Sequence, residues 1–384
     1  MTSRRSWHTL FFLSIFLMVI IAGCSGGLAT GNWVGLSAYE SVVYVADGAG
    51  ITAVDIKAQE ALWSFPAESS QIEFYAAPVA DEEKIIIGDF GAQGGFLSPG
   101  RTVSLYAIDN VQEKAVEPSL LWQNSTVLMD RVIASPLLLA EEQLVIVGTA
   151  ANRIVAFDAN NEGEMVWSYE IGHSVWAQPA YEDGLVYIAG MDKKLYALEA
   201  MTGELVWEKE FVGALPGHPV VLDGRIYVGS FDENLHVLDA KSGEELWTAE
   251  GMDWVWSAPA VGNDLIYFAD IQGNVYAVDV VTGVQAWQTQ VSGQVQANLS
   301  WVDGVLYVAS TGNEETNEGL LLALDDTTGE ILWEATPPAS IHTSPVIVED
   351  MLVVALEQED DGDPLLIVYD RMRGTQMWQF VPAE

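Results

Sequence analysis

At 384 residues, half of them apolar and a tenth aromatic, the chain has enough apolar material for a large core, which excludes disorder over most of its length. Length alone does not set the number of domains, because repeat folds and large β architectures run past the usual domain size as one unit. The formal net charge of −40 repels phosphate backbones and anionic membrane surfaces, so nucleic acid is not an expected partner.

In chain order, Arg4 and Arg5 give a basic start, Leu10 to Ala22 form an apolar run, and Ala22-Gly23-Cys24-Ser25 follow. A basic n-region, a short apolar stretch and small residues before a cysteine are the plan of a signal peptide. The run is shorter than the ~20 residues of a membrane span. Ile21-Ala22-Gly23-Cys24 resembles the lipobox of bacterial lipoproteins, which implies a signal peptide over residues 1–23, diacylation of Cys24 and a lipidated tether over residues 24–31. Cys24 is the only cysteine, which argues against a disulfide role. Removing residues 1–23 leaves 13 basic against 55 acidic residues. The arginine pair loosely resembles a twin-arginine export signal; Sec export is the default. Either route places the protein outside the cytoplasm, on the outer face of the cytoplasmic membrane or the periplasmic face of an outer membrane. Ser25 after the cysteine is compatible with the latter.

From residue 32 onward one pattern recurs. Its clearest copies run from Leu195 to Trp207, Leu235 to Trp247 and Val275 to Trp287, each with Thr/Ser-Gly before the tryptophan. The same slot holds Trp63, Trp122, Trp167, Trp207, Trp247, Trp287, Trp333 and Trp378, separated by 59, 45, 40, 40, 40, 46 and 45 residues. Short runs rich in Val, Ile and Tyr, such as 185–189 and 226–229, are strands. Asp183-Gly184, Asp223-Gly224 and Asp303-Gly304 stand just before such runs, at tight turns. Four strands per unit follow. A four-stranded unit of about forty residues cannot cover both its faces alone, and radial repetition covers them while protecting edges. The expected fold is all-β, an eight-bladed β-propeller of four-stranded antiparallel blades over residues 32–384; whether ring closure exchanges a terminal strand is left open. A monomeric propeller is expected.

The Asp-Ala-x-Thr/Ser-Gly-Glu-x-x-Trp motif resembles the repeat of the pyrroloquinoline-quinone-type propellers, which implies that each tryptophan docks between adjacent blades. Asp55, Glu199, Asp239, Asp279, Asp325 and Asp370 lie eight residues before their tryptophans; Asp158 lies nine before Trp167 and Asp109 thirteen before Trp122, so two turns are enlarged. Gln59 replaces the turn glycine in the first copy. An anchored single propeller of this length resembles the BamB family of outer-membrane assembly lipoproteins. The resemblance implies a non-enzymatic binding scaffold of the cell envelope, with an envelope or membrane protein as partner and the lipid anchor as the link to the membrane. A ligand-binding sensor propeller and a quinone-dependent oxidoreductase are the alternatives.

No cofactor, metal or catalytic residue is expected. Quinoprotein dehydrogenases of the superfamily place their quinone over calcium beside a disulfide of neighbouring cysteines, which a single-cysteine chain cannot form. HExxH, P-loop, Gly-x-Ser-x-Gly and Cys-x-x-Cys patterns do not occur in the sequence. The acidic stretch 357–363 fails as an EF-hand because Val368 stands where a bidentate acid is required. It reads as a solvated loop, as does the insertion at 311–319, and the Gly-rich excursion at 91–101 lacks the strand-to-helix context of a phosphate loop. Loops of unequal length are natural carriers of specificity.

A second constellation recurs before a channel-facing strand, at Pro78, Pro136, Pro179, Pro219, Pro259 and Pro345, with Leu299 in the same slot. One and three residues earlier come Tyr75, Trp176, Gln178, His218, Trp256, Gln296, Asn298 and His342, a candidate binding mouth on the axis. Three histidines, His173, His218 and His342, fall in these segments. Channel lining that contacts trapped water is the other reading.

Overall fold

The structure, a computed structural model, describes residues 34–66, 72–91, 102–313, 315–358 and 362–382. Cys24, the signal segment and the expected tether lie outside these residues, as does most of the excursion at 91–101. No helix occurs among the described residues; their strands form eight four-stranded antiparallel blades in a ring. The blades span residues 35–65, 79–124, 137–170, 180–210, 220–250, 260–290, 300–335 and 346–380. In every blade the strand order follows the chain, so the first strand lies at the axis and the fourth at the rim. Among the described residues the ring therefore closes without exchanging a strand. Lys57 pairs with Glu349 at 2.7 Å across the seam, where Val43, Val45 and Val54 pack on Val353, Leu366 and Val368.

Blade 4 shows how the sequence dictates the unit. Its strands are Ala180–Glu182, Leu185–Ala189, Lys194–Glu199 and Leu205–Glu210. The first turn needs two successive left-handed residues, supplied by Asp183 and Gly184 at φ 50° and 85°; that is the hairpin geometry matching strand twist. The second strand is covered on both faces by neighbouring blades, which is why such strands read as unbroken apolar runs; Val42–Ala46 and Leu144–Gly148 are buried throughout. The fourth strand faces solvent on one side and alternates.

The turn into the fourth strand explains the repeat motif. In blade 5, Asp239 Oδ1 accepts bonds from the Lys241 and Ser242 amides (3.1 and 2.8 Å) and from Ser242 Oγ (2.8 Å), which hold the Asp239 carboxyl below its ordinary pKa. Gly243 then turns left-handed at φ 68°, its amide bonded to Asp239 O. A register shift follows in every blade; in blade 4, Ala197 faces Trp207 while Leu198 faces Leu205, leaving Val206 over. Such a bulge re-aims the tryptophan. Each ring reaches into the next blade. Trp122, Trp167, Trp207, Trp287 and Trp333 donate Nε1–H to the carbonyls of Ala159, Ala200, Ala240, Asp326 and Arg371 at 2.8–3.1 Å. Trp63 donates to Val111 O, although the turn in blade 2 is longer.

The turn glycine has a second task, because a Cβ at Gly203 would stand 2.6 Å from Trp167 and one at Gly243 2.7 Å from Trp207. In blade 1, Gln59 takes the left-handed turn at φ 59°. Trp378 packs into the seam core, and neither it nor Trp247 has a hydrogen-bond partner for Nε1 among the described residues. Beside Trp247, the carbonyl of Val280 accepts from Arg225 Nη1 at 2.8 Å. Eight apolar clusters result, one between each pair of successive blades.

Candidate functional site

The connection from each rim strand to the next axial strand emerges on the same face as the turn between second and third strands. This face carries the candidate mouth. Tyr75, Trp176, Gln178, His218, Trp256, Gln296, Asn298 and His342 all line a single axial cavity of about 430 Å3 to which all eight blades contribute. His173 does not reach it. It is exposed on the outer part of its connection, with Nδ1 2.9 Å from Ser174 Oγ. Residues 311–319, expected as a solvated loop, are instead mostly the end of a hairpin whose strands run Val305–Asn313 and Glu318–Asp325; this hairpin end and the described residues between second and third strands in blades 2 and 8 belong to the cavity face.

The polar lining is tied around the ring. Gln178 Nε2 donates to Pro136 O at 2.8 Å, the Ala258 amide to Asn298 Oδ1 at 2.8 Å, and the Asn298 amide to Ser344 Oγ at 3.1 Å. Because Asn298 Oδ1 is taken by a backbone N–H, its Nδ2 faces His218 Nδ1 at 3.3 Å, so that imidazole nitrogen must accept. His218 then carries its proton on Nε2, the donor it offers to the cavity. Burial pushes its pKa down to about 4, keeping it neutral near pH 7. Gln296 Nε2 donates to Gln294 Oε1 at 3.2 Å, which leaves Gln296 Oε1 to accept from His342 Nδ1 at 3.1 Å. Burial also lowers the His342 pKa, against a smaller opposite pull from Glu357. Among the described lining residues there is no Asp, Glu, Lys or Arg, although the chain holds 55 acids.

The aromatic groups form two sets. Trp176 and Trp256 lie 6.2 Å apart between ring centroids, and Trp256 continues to Phe231 at 5.2 Å and Trp254 at 4.8 Å beyond. Trp176 is 38% and Trp254 45% exposed. Tyr75 stands edge-on to Phe90 at 5.2 Å, with Arg131 over the Phe90 ring at 4.9 Å.

Carboxylates that position this face, one fully buried and two half-buried, escaped the sequence reading. Asp270, fully buried, accepts from Tyr276 OH at 2.8 Å and from the Gln272, Asn274 and Met252 amides. Asp192 accepts from the Gly172 amide at 2.7 Å and Tyr196 OH at 2.6 Å, and Asp232 lies 3.0 Å from His236 Nε2. Gly172 and Met252 open the connections that bear Trp176, Trp254 and Trp256. Asp192 and Asp270 therefore fix the backbone from which the tryptophans project. A readable signal existed: an acid just after the second strand, with Tyr or His four to six residues later.

These features define an eight-bladed propeller of the pyrroloquinoline-quinone-like repeat class. The family model for outer membrane protein assembly factor BamB matches residues 150–302 and 299–384, and the chain belongs to that family. Among solved structures, BamB from Moraxella catarrhalis is similar with a TM-score of 0.68 at 19% identity, covering 88% of this chain and 94% of that one. The computationally designed Ika8 protein gives 0.68 at 16% identity over 88% and 96%. A europium-containing methanol dehydrogenase gives 0.62 at 12% identity over 81% and 78%. At these identities the likenesses describe the fold. No curated protein matches the sequence.

The quinone-dependent alternative calls for a quinone and its metal. The cavity lining does not fit them: a polycarboxylate quinone over a hard cation calls for cationic side chains and clustered carboxylates, and the described lining offers amides, hydroxyls, imidazoles and indoles. No group of three or more His, Cys, Asp or Glu placed to hold a metal occurs among the described residues.

Proposed function

We propose that the protein is a non-enzymatic, lipid-anchored scaffold of the cell envelope that captures a partner protein at the axial mouth. Membership of the BamB family supports an assembly role. The carrying observation is that Tyr75, Trp176, Trp256, His218 and His342, from different blades, line one cavity on the face from which the longest connections emerge. Rigid aromatic groups of this kind dominate binding energies at interfaces. The rim, by contrast, repeats the same strand eight times and carries little specificity.

Capture from detergent-solubilised membranes tests the reading. Replacing Trp176 and Trp256 together by Ala should weaken partner retention by at least ~2 kcal/mol, about thirtyfold, with the melting temperature little changed. A folded double variant that retains its partner like the parent moves the interface to the rim or the loops. The anchor is tested separately: Cys24→Ala, with its signal segment removed, should move to the soluble fraction, and continued membrane association rules out acylation as the link.

A further inference from the structure

The cavity has a chemical character that protein docking does not require. In a chain this acidic, the lining is free of formal charge among its described residues, and Gln178, His218, Asn298 and Ser344 are hydrogen-bonded into fixed orientations around the ring. Donors and acceptors alternate: His218 presents Nε2–H, Gln178 keeps Oε1 once Nε2 is bound to Pro136 O, and Ser135 adds a hydroxyl. Ser37 and Thr343, also in the lining, carry buried hydroxyl oxygens without a hydrogen-bond partner among the described residues. From this cavity the rings of Trp176, Trp256, Phe231 and Trp254 run outward at centroid spacings of 6.2, 5.2 and 4.8 Å, ending half-exposed.

We propose that the cavity and its aromatic track bind a neutral oligosaccharide. A pyranose presents hydroxyls that both donate and accept around its edge, and flat C–H faces above and below. The first match paired amides, imidazole and hydroxyls; the second match indole faces. An anionic glycan meets the field of a strongly acidic protein. A desolvated cation finds no carboxylate in the described lining. The volume lies within the ~300–1,000 Å3 usual for small-molecule sites. A succession of neighbouring rings also implies length dependence, because each further sugar reaches another ring. This inference goes beyond the scaffold reading and does not need a partner protein.

The experiment is a fluorescence titration of the full chain, purified in a detergent without a sugar headgroup, using cellobiose, cellotetraose, chitotetraose and tetragalacturonate as probes. Saturable change in tryptophan emission with the neutral tetrasaccharides, stronger than with cellobiose and absent with tetragalacturonate, is the expected result. Trp176→Ala and His218→Gln should each weaken tetrasaccharide binding roughly tenfold or more. Trp254→Ala should remove the gain from chain length and spare the disaccharide. A folded protein that responds to none of these sugars, or to an arginine-rich peptide instead, overturns the proposal. Binding that survives unchanged in Trp176→Ala and His218→Gln places the sugar elsewhere and overturns it too. Partner capture is scored on separate samples, so scaffold and sugar readings fail independently.

Discussion

Replacing repeat tryptophans by phenylalanine separates what the indole ring does from what its N–H does. At Trp167 the ring is 7% exposed and Nε1 donates to Ala200 O at 2.8 Å; at Trp247 Nε1 has no partner among the described residues, and Val280 O accepts from Arg225. Both substitutions shrink the side chain equally, which costs about 1 kcal/mol in lost burial and residual cavity. Trp167→Phe also strands a buried carbonyl, adding about 1–3 kcal/mol. Trp247→Phe instead removes a buried donor that was never satisfied, which offsets the cavity by a similar amount. The difference between the two should therefore be about 2 kcal/mol or more. In a chain of this size about 1 kcal/mol moves the thermal midpoint by about 1–2 °C, so scanning calorimetry should place Trp167→Phe roughly 3 °C or more below Trp247→Phe. Equal midpoints, or a larger drop for Trp247→Phe, would refute the assignment of stability to the indole–carbonyl bond.

Other substitutions test the remaining links. Gly243→Ala must hold φ 68° and place a Cβ 2.7 Å from Trp207, whereas Gly224→Ala holds φ 73° with nothing within 4 Å; thermal unfolding should show a loss of about 1–2 kcal/mol at Gly224, the left-handed term alone, and clearly more at Gly243. Trp207→Ala should destabilise by about 3–5 kcal/mol, read in the same assay. Because the folded-state pKa of His218 is lowered from 6.5 to about 4, its contribution is complete above pH 6.5 and lost as pH falls towards 4. The stability difference between parent and His218→Gln, measured by urea unfolding, should fall across that window by up to roughly 3 kcal/mol; a flat difference shows that the imidazole is not desolvated.

The blade count and the tryptophan slots were legible because each copy repeats a local necessity: an acid to satisfy turn amides, a glycine to turn left-handed, a large ring to fill the gap between sheets. The mouth residues were legible from position, since Pro78 and its counterparts mark where an axial strand begins. What stayed hidden depends on groups distant in sequence. Seam closure rests on blade 8 meeting blade 1, and nothing near Gln59 or Trp378 announces whether a strand crosses over. The hydrogen bond between His218 and Asn298 spans 80 residues and skips a blade. Arg225, which bonds the Val280 carbonyl beside Trp247, reads in sequence as an ordinary strand residue. Asp192, Asp232 and Asp270 were lost among many acids, although their hydrogen bonds to a Tyr or His and to backbone amides set them apart from the solvated majority.

A ring closed by side chains alone has a kinetic consequence. Until blade 8 meets blade 1, the chain exposes two apolar faces, one bearing Val43, Val45 and Val54 and the other Val353, Leu366 and Val368. Joining ends about 300 residues apart is only modestly costlier than joining near neighbours, because closure entropy grows with the logarithm of length. Yet the same two faces are complementary between molecules as well as within one. An unclosed chain can therefore accept the first blade of a second chain on its last, and that head-to-tail contact repeats without end unless its rotation happens to close. Intramolecular closure must outrun such encounters, which makes the local concentration of nascent chains, more than the strength of any single blade, the quantity that decides between rings and open polymers.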